Sequence, residues 1–366
     1  MKDIALYIHI PFCSSKCDYC DFYSFKPSSE KQKEDFQNAL FYEIDLKAEL
    51  IKERNISSIY IGGGTPSSLS PEFFVALKNK LDGICKINKS VEFTVEVNPS
   101  SFSENLAKTL KNIGVNRLSV GFQCSNDRIL KYVHRKQTFE QFQQAMHIAK
   151  KYFDNISVDI MTGLPYEKVS DVKNSIKKSL KFRPTHISVY SLMVIENTPL
   201  FNMKQTLSFI PNEKQQVKML CIAGKMLSRA GFERYEVSNY ARKVKGMADV
   251  FVSKHNLTYW NGGDYLGFGP SASSKIGNVR LTNEKNFNNY MNKNFNADRE
   301  VLSNEQINLE KVMLGLRCKW GCEKKLCKTE NLPFLIQNGY VKEKNDRIIA
   351  TKKGINVLNI IIDKLT

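Results

Sequence analysis

The chain has 366 residues, 42% of them hydrophobic, which is enough to bury a large core as one α/β domain with an appendage or as two to three domains. Its nine cysteines are an odd number and are better interpreted as metal ligands than as a disulfide framework. The net charge of +17 would suit a nucleic-acid binder, but Lys and Arg are scattered, so we expect no nucleic-acid partner. The N-terminal residues lack a secretory signal pattern and the chain lacks a long apolar run, which together predict a cytoplasmic protein with no membrane span.

Short β-branched segments recur along the first half of the chain, and helical patterns lie between them. The predicted strands cover residues 6–10, 57–62, 92–97, 117–122, 156–161 and 186–192. Strands that alternate with helices indicate βαβ units and a parallel sheet. We therefore predict an α/β fold, an incomplete TIM-like barrel of six strands and six helices, in preference to a doubly wound open sheet.

The rhythm of strand and helix weakens after about residue 205. A Gly-rich stretch follows a helical segment, and from about residue 303 the pattern predicts a small helix-rich module with a β-hairpin, of winged-helix kind. We accordingly divide the chain into a barrel core at 1–235, a connecting segment packed on the barrel at 236–302 and a C-terminal domain at 303–366.

Three cysteines, Cys13, Cys17 and Cys20, form a C-x3-C-x2-C run on the loop after the first predicted strand. Three thiolates from one short loop can hold three corners of a [4Fe-4S] cubane, whereas structural zinc normally takes a complete tetrahedral set. The alternatives are a zinc knuckle completed by a distant ligand and three unrelated thiols. We favour the cluster, because polar and glycine-rich loops follow the other strands and should converge at the same end of the sheet.

The glycine triplet at 62–64, followed by Thr65, ends the second predicted strand. We expect it to offer free backbone N–H groups to a small zwitterionic ligand, although a bare turn is the common alternative. Polar side chains at later strand ends could complete a binding shell, since carboxylates accept hydrogen bonds from ammonium or ribose groups and an Arg can pair with a carboxylate. Each alone would more often be a solvated charge; these residues are Glu96, Gln123, Arg135 and Asp159.

The motif YIHIPFC at 7–13, with the cysteine spacing that follows, resembles the radical S-adenosylmethionine superfamily. Within it, the chain is similar to the group that contains oxygen-independent coproporphyrinogen III oxidases and HemW-type heme chaperones. The resemblance covers almost the whole chain. Its further landmarks are GGGTP at 62–66, VEVNP at 95–99, SVGFQ at 119–123, DIMTGLP at 159–165, YEVSNYA at 235–241 and HNLTYW at 255–260.

This resemblance implies a barrel that binds a [4Fe-4S] cluster and S-adenosylmethionine, with an electron donor such as flavodoxin or ferredoxin. The residues that it assigns to S-adenosylmethionine are Tyr7, Tyr19, Gly63, Gly64, Thr65, Glu96, Gln123, Arg135 and Asp159. The chain departs from the usual pattern at His134, where the group usually has Gly, and at Gln137, where it usually has His. Ser273 also stands where relatives often carry His.

Two features separate the branches of this group. Oxidases carry another Cys two positions after the third cluster cysteine, where this chain has Phe22, and a long arm before the position of Tyr7. The segment HNLTYW resembles a motif associated with heme binding, which implies that His255 ligates heme iron. A buried structural histidine beside core aromatics is the alternative.

Our hypothesis is a heme chaperone that binds heme and passes it to an unknown acceptor protein. The first alternative is an oxygen-independent coproporphyrinogen III oxidase, and the second is a structural zinc protein without redox chemistry. The remaining cysteines are interpreted as ordinary thiols; they are Cys85, Cys124, Cys221, Cys318, Cys322 and Cys327.

Overall fold

The computed structural model describes residues 2–295 and 298–366. Six parallel strands form the centre of a twelve-stranded sheet and run in sequence order, as the alternating pattern predicts. They are β1 (Asp3–Ile10), β2 (Asn55–Gly63), β3 (Glu92–Val97), β4 (Arg117–Gln123), β5 (Asn155–Thr162) and β6 (His186–Ser191). Their Ile, Val and Leu side chains are buried and alternate with polar residues along most of the strands, so the apolar face of the sheet packs against the helices and the polar face lines the barrel interior.

Helices connect these strands and cover the sheet. They are α1 (Glu30–Leu46), α2 (Pro71–Asp82), α3 (Glu104–Asn112), α4 (Asp127–Tyr132), α5 (Phe139–Tyr152) and α6 (Val169–Leu180). After β6 the chain forms α7 (Pro199–Asn202), α8 (Lys204–Leu207) and α9 (Glu213–Arg229). A side-chain hydroxyl or amide accepts a backbone N–H at the start of several of these helices, as Thr138 does for α5 in a complete capping box.

Short strands extend the sheet beyond both of its parallel edges. On the β6 side lie β7 (Phe232–Arg234) and β8 (Asn239–Arg242), and on the β1 side lie β9 (Tyr265–Phe268), β10 (Ser273–Ile276), β11 (Val279–Thr282) and β12 (Asp298–Val301). Strand β9 pairs in parallel with β1, so residues from the connecting segment form part of the main sheet. The six adjacent parallel strands β1 to β6, with helices between them, confirm the incomplete barrel that we predicted.

Two further helices belong to the connecting segment: α10 (Lys254–Trp260) and α11 (Phe287–Met291). A buried carboxyl fastens this segment to the barrel. Glu43 on α1 accepts hydrogen bonds from the Lys47 ammonium at 2.5 Å, the Asn283 amide at 2.7 Å and the Tyr290 hydroxyl at 2.7 Å. Glu43 is fully buried, and these three donors offset the free-energy cost of burying its carboxylate.

The C-terminal module has its own small apolar core. Its elements are α12 (Asn304–Leu316), β13 (Cys322–Glu323), α13 (Leu332–Gln337), β14 (Val341–Lys344), β15 (Arg347–Ala350) and α14 (Leu358–Leu365). Strands β14 and β15 form the predicted hairpin and β13 pairs with β15. None of the helices in the described residues has the length and hydropathy required to cross a bilayer.

Candidate functional site

A cavity of about 430 Å³ opens at the carboxyl ends of the parallel strands. The loop after β1, the loop after β2 and the ends of β3 to β6 all contribute to its wall, as expected for a parallel α/β fold. The predicted site residues that line it are Cys13, Cys17, Tyr19, Cys20, Gly63, Gly64, Thr65, Glu96, Gln123, Arg135 and Asp159. Tyr7 and His255 lie elsewhere in the barrel interior and are described below.

The three cysteines lie at intermediate depth on one side of this cavity. The Cys13 thiol is 3.3 Å from the Thr65 hydroxyl, and the Cys20 N–H donates to the Cys17 carbonyl at 3.1 Å. In the described residues, no three His, Cys, Asp or Glu side chains converge on a position for one metal ion. All three thiols line the same cavity, and three thiolates from one loop can hold three irons of a cubane.

The glycine loop packs directly beneath the cysteine loop. The N–H of Gly64 donates to the Ile10 carbonyl at 2.7 Å, and a Cβ on Gly64 would lie 2.6 Å from the Phe12 carbonyl oxygen and 3.0 Å from the Cys13 sulfur. Gly63 has a φ of +109°, and its N–H donates to Glu96 at 3.1 Å. The expectation of free N–H groups in this loop is therefore wrong, because these groups bond to neighbouring strands and the glycines instead permit close packing.

Glu96 has a fixed orientation at the end of β3. The Tyr60 hydroxyl donates to one of its carboxylate oxygens at 2.7 Å, and the Gly63 N–H donates to the other. Burial raises the pKa of Glu96 to about 7, although both hydrogen bonds act in the opposite direction. A ligand ammonium next to this carboxyl would favour its ionised form.

Asp159 on β5 accepts hydrogen bonds from three serine hydroxyls on three adjacent strands. They are Ser119 at 2.8 Å, Ser157 at 3.2 Å and Ser188 at 2.7 Å. Burial raises the pKa of Asp159, and these three donors oppose the rise. Alternation along the strands places all of these side chains on the inner face of the barrel.

Arg135 extends across the cavity towards the cysteine loop. It donates to the Gly121 carbonyl at 2.8 Å, to the Gln137 amide oxygen at 3.0 Å and to the Tyr19 hydroxyl at 3.4 Å. Its guanidinium also lies 4.0 Å from the Cys17 sulfur. Gln137, noted in the sequence as a departure, thus orients this guanidinium.

Arg117 is a residue of the cavity wall that sequence reasoning missed. It begins β4, is 2% exposed and places its guanidinium in the barrel interior near Glu92 and Asp159. Its Nε is buried with no hydrogen-bond partner in the described residues. An Arg at the start of the otherwise apolar strand RLSVGF was the signal that could have identified it.

His255 lies in the barrel interior beside β2, at the start of α10, and is 1% exposed. Its Nδ1 is 2.9 Å from the Ser58 hydroxyl and its Nε2 is 2.7 Å from the Tyr259 hydroxyl. Burial lowers the pKa of His255 to about 3, so the ring is neutral. Both nitrogens have hydrogen-bond partners, so iron could bind this ring only after the Tyr259 hydroxyl had left Nε2 or the Ser58 hydroxyl had left Nδ1.

Tyr7 lies beside His255 in the barrel interior, with ring centroids 6.3 Å apart. Its hydroxyl is 3.0 Å from Nδ1 of His9, whose Nε2 in turn bonds the Tyr23 carbonyl at 2.7 Å. The hydroxyl of the predicted ligand-binding residue Tyr7 on β1 is thus linked through His9 to the backbone of the cysteine loop.

The cysteines outside the cavity are mostly buried. The sulfurs of Cys322 and Cys327 in the C-terminal module are 3.4 Å apart. The backbone of Cys318 instead forms an isolated β-bridge with Glu236. Cys85 and Cys124 are buried and Cys221 is partly exposed on α9.

Residues 7–178 match the family model of the radical SAM superfamily. The chain is 34% identical to the heme chaperone HemW of Buchnera aphidicola subsp. Schizaphis graminum, over 99% of this chain and 98% of that protein. It is 38% identical to the heme chaperone HemW of Bacillus subtilis, over 88% and 85% of the two chains. The solved structure of coproporphyrinogen III oxidase (HemN) from Escherichia coli superposes with a TM-score of 0.85 at 22% identity, covering 99% of this chain and 89% of that one, a likeness of fold alone.

Proposed function

Because the chain belongs to the heme chaperone HemW family within the radical SAM superfamily, we propose that it binds heme and transfers it to an acceptor protein. The observation that carries this proposal is the similarity to heme chaperones over almost the full length of both chains. The function would be exercised in the cytoplasm, and the acceptor would be a heme-requiring protein.

We assign the [4Fe-4S] cluster to Cys13, Cys17 and Cys20 and S-adenosylmethionine to the cavity beside them. When bound, the reduced cluster supplies one electron to the sulfonium of the cofactor; a flavodoxin or ferredoxin would be a suitable donor. The cavity wall fits a zwitterion, because the Arg135 guanidinium can pair with a carboxylate and the Glu96 carboxyl can accept from an ammonium.

The remaining polar groups of the wall have roles that follow from their chemistry. The Asp159 carboxylate and the Gln123 amide can accept hydrogen bonds from ribose hydroxyls, and the Tyr19 ring offers an apolar face to the adenine. Gly63, Gly64 and Thr65 form the wall closest to the methionine part. Tyr7 lies on β1, and its hydroxyl is linked through His9 to the Tyr23 carbonyl of the cysteine loop.

Anaerobic reconstitution followed by hemin titration tests this proposal. We expect about four irons and equal sulfide per chain, a Soret band on addition of hemin, and replacement of that band by the Soret band of myoglobin when apomyoglobin is added as acceptor. Cys17→Ala should abolish iron binding, whereas Cys221→Ala on α9 should retain it. A reconstituted chain that binds no hemin, or that never releases it to apomyoglobin, would contradict the chaperone function.

His255 is our proposed heme ligand within the HNLTYW segment, subject to release of Nε2 by Tyr259. If His255 binds the iron, Tyr259→Phe should strengthen hemin binding, because the exchange removes the hydroxyl that competes for Nε2. His255→Ala should remove this one ligand. Unchanged hemin spectra in both variants would exclude this ligand.

The oxidase remains the second candidate, and the position of Phe22 argues against it. This side chain lines the cavity mouth and is 58% exposed, at the place where the oxidases carry a further cysteine. Decarboxylated product from coproporphyrinogen III under anaerobic, reducing conditions would favour the oxidase over the chaperone.

A further inference from the structure

One histidine is both accessible and held in a fixed orientation. The His134 side chain is 66% exposed, and its Nδ1 lies 2.7 Å from a carboxylate oxygen of Asp18, which belongs to the cysteine loop. A carboxylate accepts hydrogen bonds, so Nδ1 is the nitrogen that donates to Asp18, and Nε2 is the nitrogen left to bind a metal. No hydrogen bond to Nε2 arises from the residues that the structure describes.

Asp18 is itself fixed, so the ring that it holds cannot rotate freely. Its N–H donates to the Val133 carbonyl at 3.2 Å, its carbonyl accepts from the Leu200 N–H at 2.9 Å, and its side chain is only 8% exposed. A carboxylate that accepts from one ring nitrogen is the arrangement that orients metal-bound histidines in proteins and raises their basicity. The His134–Asp18 pair thus has the geometry of a metal ligand with its supporting group.

The backbone at His134 is left-handed. Its φ is +53°, in the left-handed region where Gly is unstrained and a residue with a Cβ is not. His134 is one of ten non-Gly residues with a positive φ in the part of the chain that the structure describes.

The other histidines offer no comparable nitrogen. The sequence has five, and all lie in described residues. His9, His186 and His255 have partners on both ring nitrogens. His147 is exposed on α5, where its ring packs edge-on against Phe182 with centroids 5.4 Å apart, and no carboxylate of the described residues bonds it.

Aromatic side chains extend across the surface that adjoins His134. Tyr132, two residues earlier, meets the Tyr166 ring edge-on at 4.6 Å, and Tyr166 stacks on Phe209 at 4.3 Å. These three rings, with Phe201 next to Leu200, form what we term the aromatic ledge, and each is between 37% and 45% exposed. An apolar ligand could bury these rings further.

Two lysines near His134 in the chain could pair with the propionates of a heme. Lys131 and Lys136 are exposed and lie three and two residues from His134 on either side of it in the chain. Heme is a flat apolar ring with two propionates at one edge, so aromatic faces and ammonium groups are complementary to it. A phosphate or a nucleotide would use the cations but would leave the aromatic ledge and the oriented imidazole unexplained.

We propose that His134 is the axial ligand through which the chain takes up heme, with the porphyrin on the aromatic ledge and its propionates towards Lys131 and Lys136. The Nε2 lone pair replaces a water on the heme iron, and the iron keeps its oxidation state. This inference rests on the proposed function, since it names where the transported heme binds. His255 would receive the iron only in a second conformation in which Tyr259 has moved.

The experiment is hemin titration of the reconstituted chain, with matched single-histidine variants. We expect His134→Ala to weaken hemin binding at least tenfold and to change the Soret and magnetic circular dichroism spectra, and free imidazole to restore them. His147→Ala, which also removes an exposed histidine, should bind hemin as the parent does. Iron content of the cluster in each variant shows whether the cysteine loop has kept its structure.

The outcomes separate the two proposals. Parental affinity and spectrum in His134→Ala, with binding retained by the parent chain, would overturn the His134 assignment while the chaperone function stands. A parent chain that binds no hemin would overturn both. If His134→Ala loses iron as well as hemin, His134→Gln with restored iron and weakened hemin binding supports ligation, whereas restored hemin binding refutes it.

Discussion

Replacing Gly64 by Ala should disrupt the cluster site without altering any ligand. The new Cβ would lie 2.6 Å from the Phe12 carbonyl oxygen, 3.0 Å from the Ile10 carbonyl oxygen and 3.0 Å from the Cys13 sulfur. Two of these atoms belong to strand and loop backbone that is hydrogen-bonded in place, so they cannot yield without moving the loop that carries Cys13. Overpacking of this kind costs about 1–3 kcal/mol.

The matched control is Gly83→Ala at the end of α2. Gly83 has right-handed helical geometry with φ of −71°, and the nearest atoms to its Cβ would be the Asn79 and Lys80 carbonyl oxygens at 3.5 and 3.6 Å. These are ordinary van der Waals distances. The control should therefore be neutral or more stable by about 0.4–1 kcal/mol, through loss of entropy in the unfolded chain.

Two measurements follow from this comparison. Urea unfolding of the apo-chains should give a lower midpoint for Gly64→Ala and an equal or higher midpoint for Gly83→Ala. After anaerobic reconstitution, Gly64→Ala should hold less iron than the parent, because Cys13 is displaced. If Gly64→Ala matched Gly83→Ala in both stability and iron content, our account of why this loop requires glycine would be wrong.

Two predictions concern titration. Burial raises the pKa of Glu96 to about 7, so the ionised form that pairs with a cofactor ammonium becomes the main form as the pH rises through 7. Below pH 7, calorimetry should therefore show the affinity for S-adenosylmethionine rising by up to about tenfold per pH unit. Glu96→Gln should show no such rise. Burial lowers the pKa of His186 and of His255, the latter to about 3, so the unfolded chain binds protons below 6.5 that the folded chain does not. The contribution of these neutral histidines to the free energy of unfolding is complete above pH 6.5 and should fall as the pH is lowered, by up to about 1.4 kcal/mol per pH unit for each histidine. Urea midpoints that do not change with pH would contradict this.

The sequence was sufficient to predict the barrel and the convergence of its loops. Each of β1 to β6 contains a β-branched run with a helical pattern after it, and the chemistry of parallel sheets then places their carboxyl ends together. A few neighbouring residues establish these local patterns. The pairing of β9 with β1 is not local, because it joins Tyr7 to Gly267 across most of the chain, so the Gly-rich stretch after Trp260 could not reveal it.

Residue types alone also could not distinguish a free donor from a satisfied one. Gly63 and Gly64 looked suited to offer N–H groups to a ligand, yet Glu96 and Ile10 already accept them. Arg117 was missed for the opposite reason, because a single basic residue at a strand start is normally solvated, and only the closure of the barrel buries it. Satisfaction of hydrogen bonds depends on neighbours that are distant in sequence.

The position of His255 affects how loss of heme binding in its variants should be interpreted. Its ring stacks on Tyr60 at 5.0 Å, and the Tyr60 hydroxyl donates to Glu96, so one side chain connects His255 to the wall of the cofactor cavity. His255→Ala would leave a cavity beneath Tyr60 and would disturb Glu96 whether or not iron ever binds the imidazole. Tyr259→Phe separates the two roles, because it frees Nε2 and keeps the ring in place: a ligand should then bind hemin more tightly, whereas a purely structural histidine should leave hemin binding unchanged.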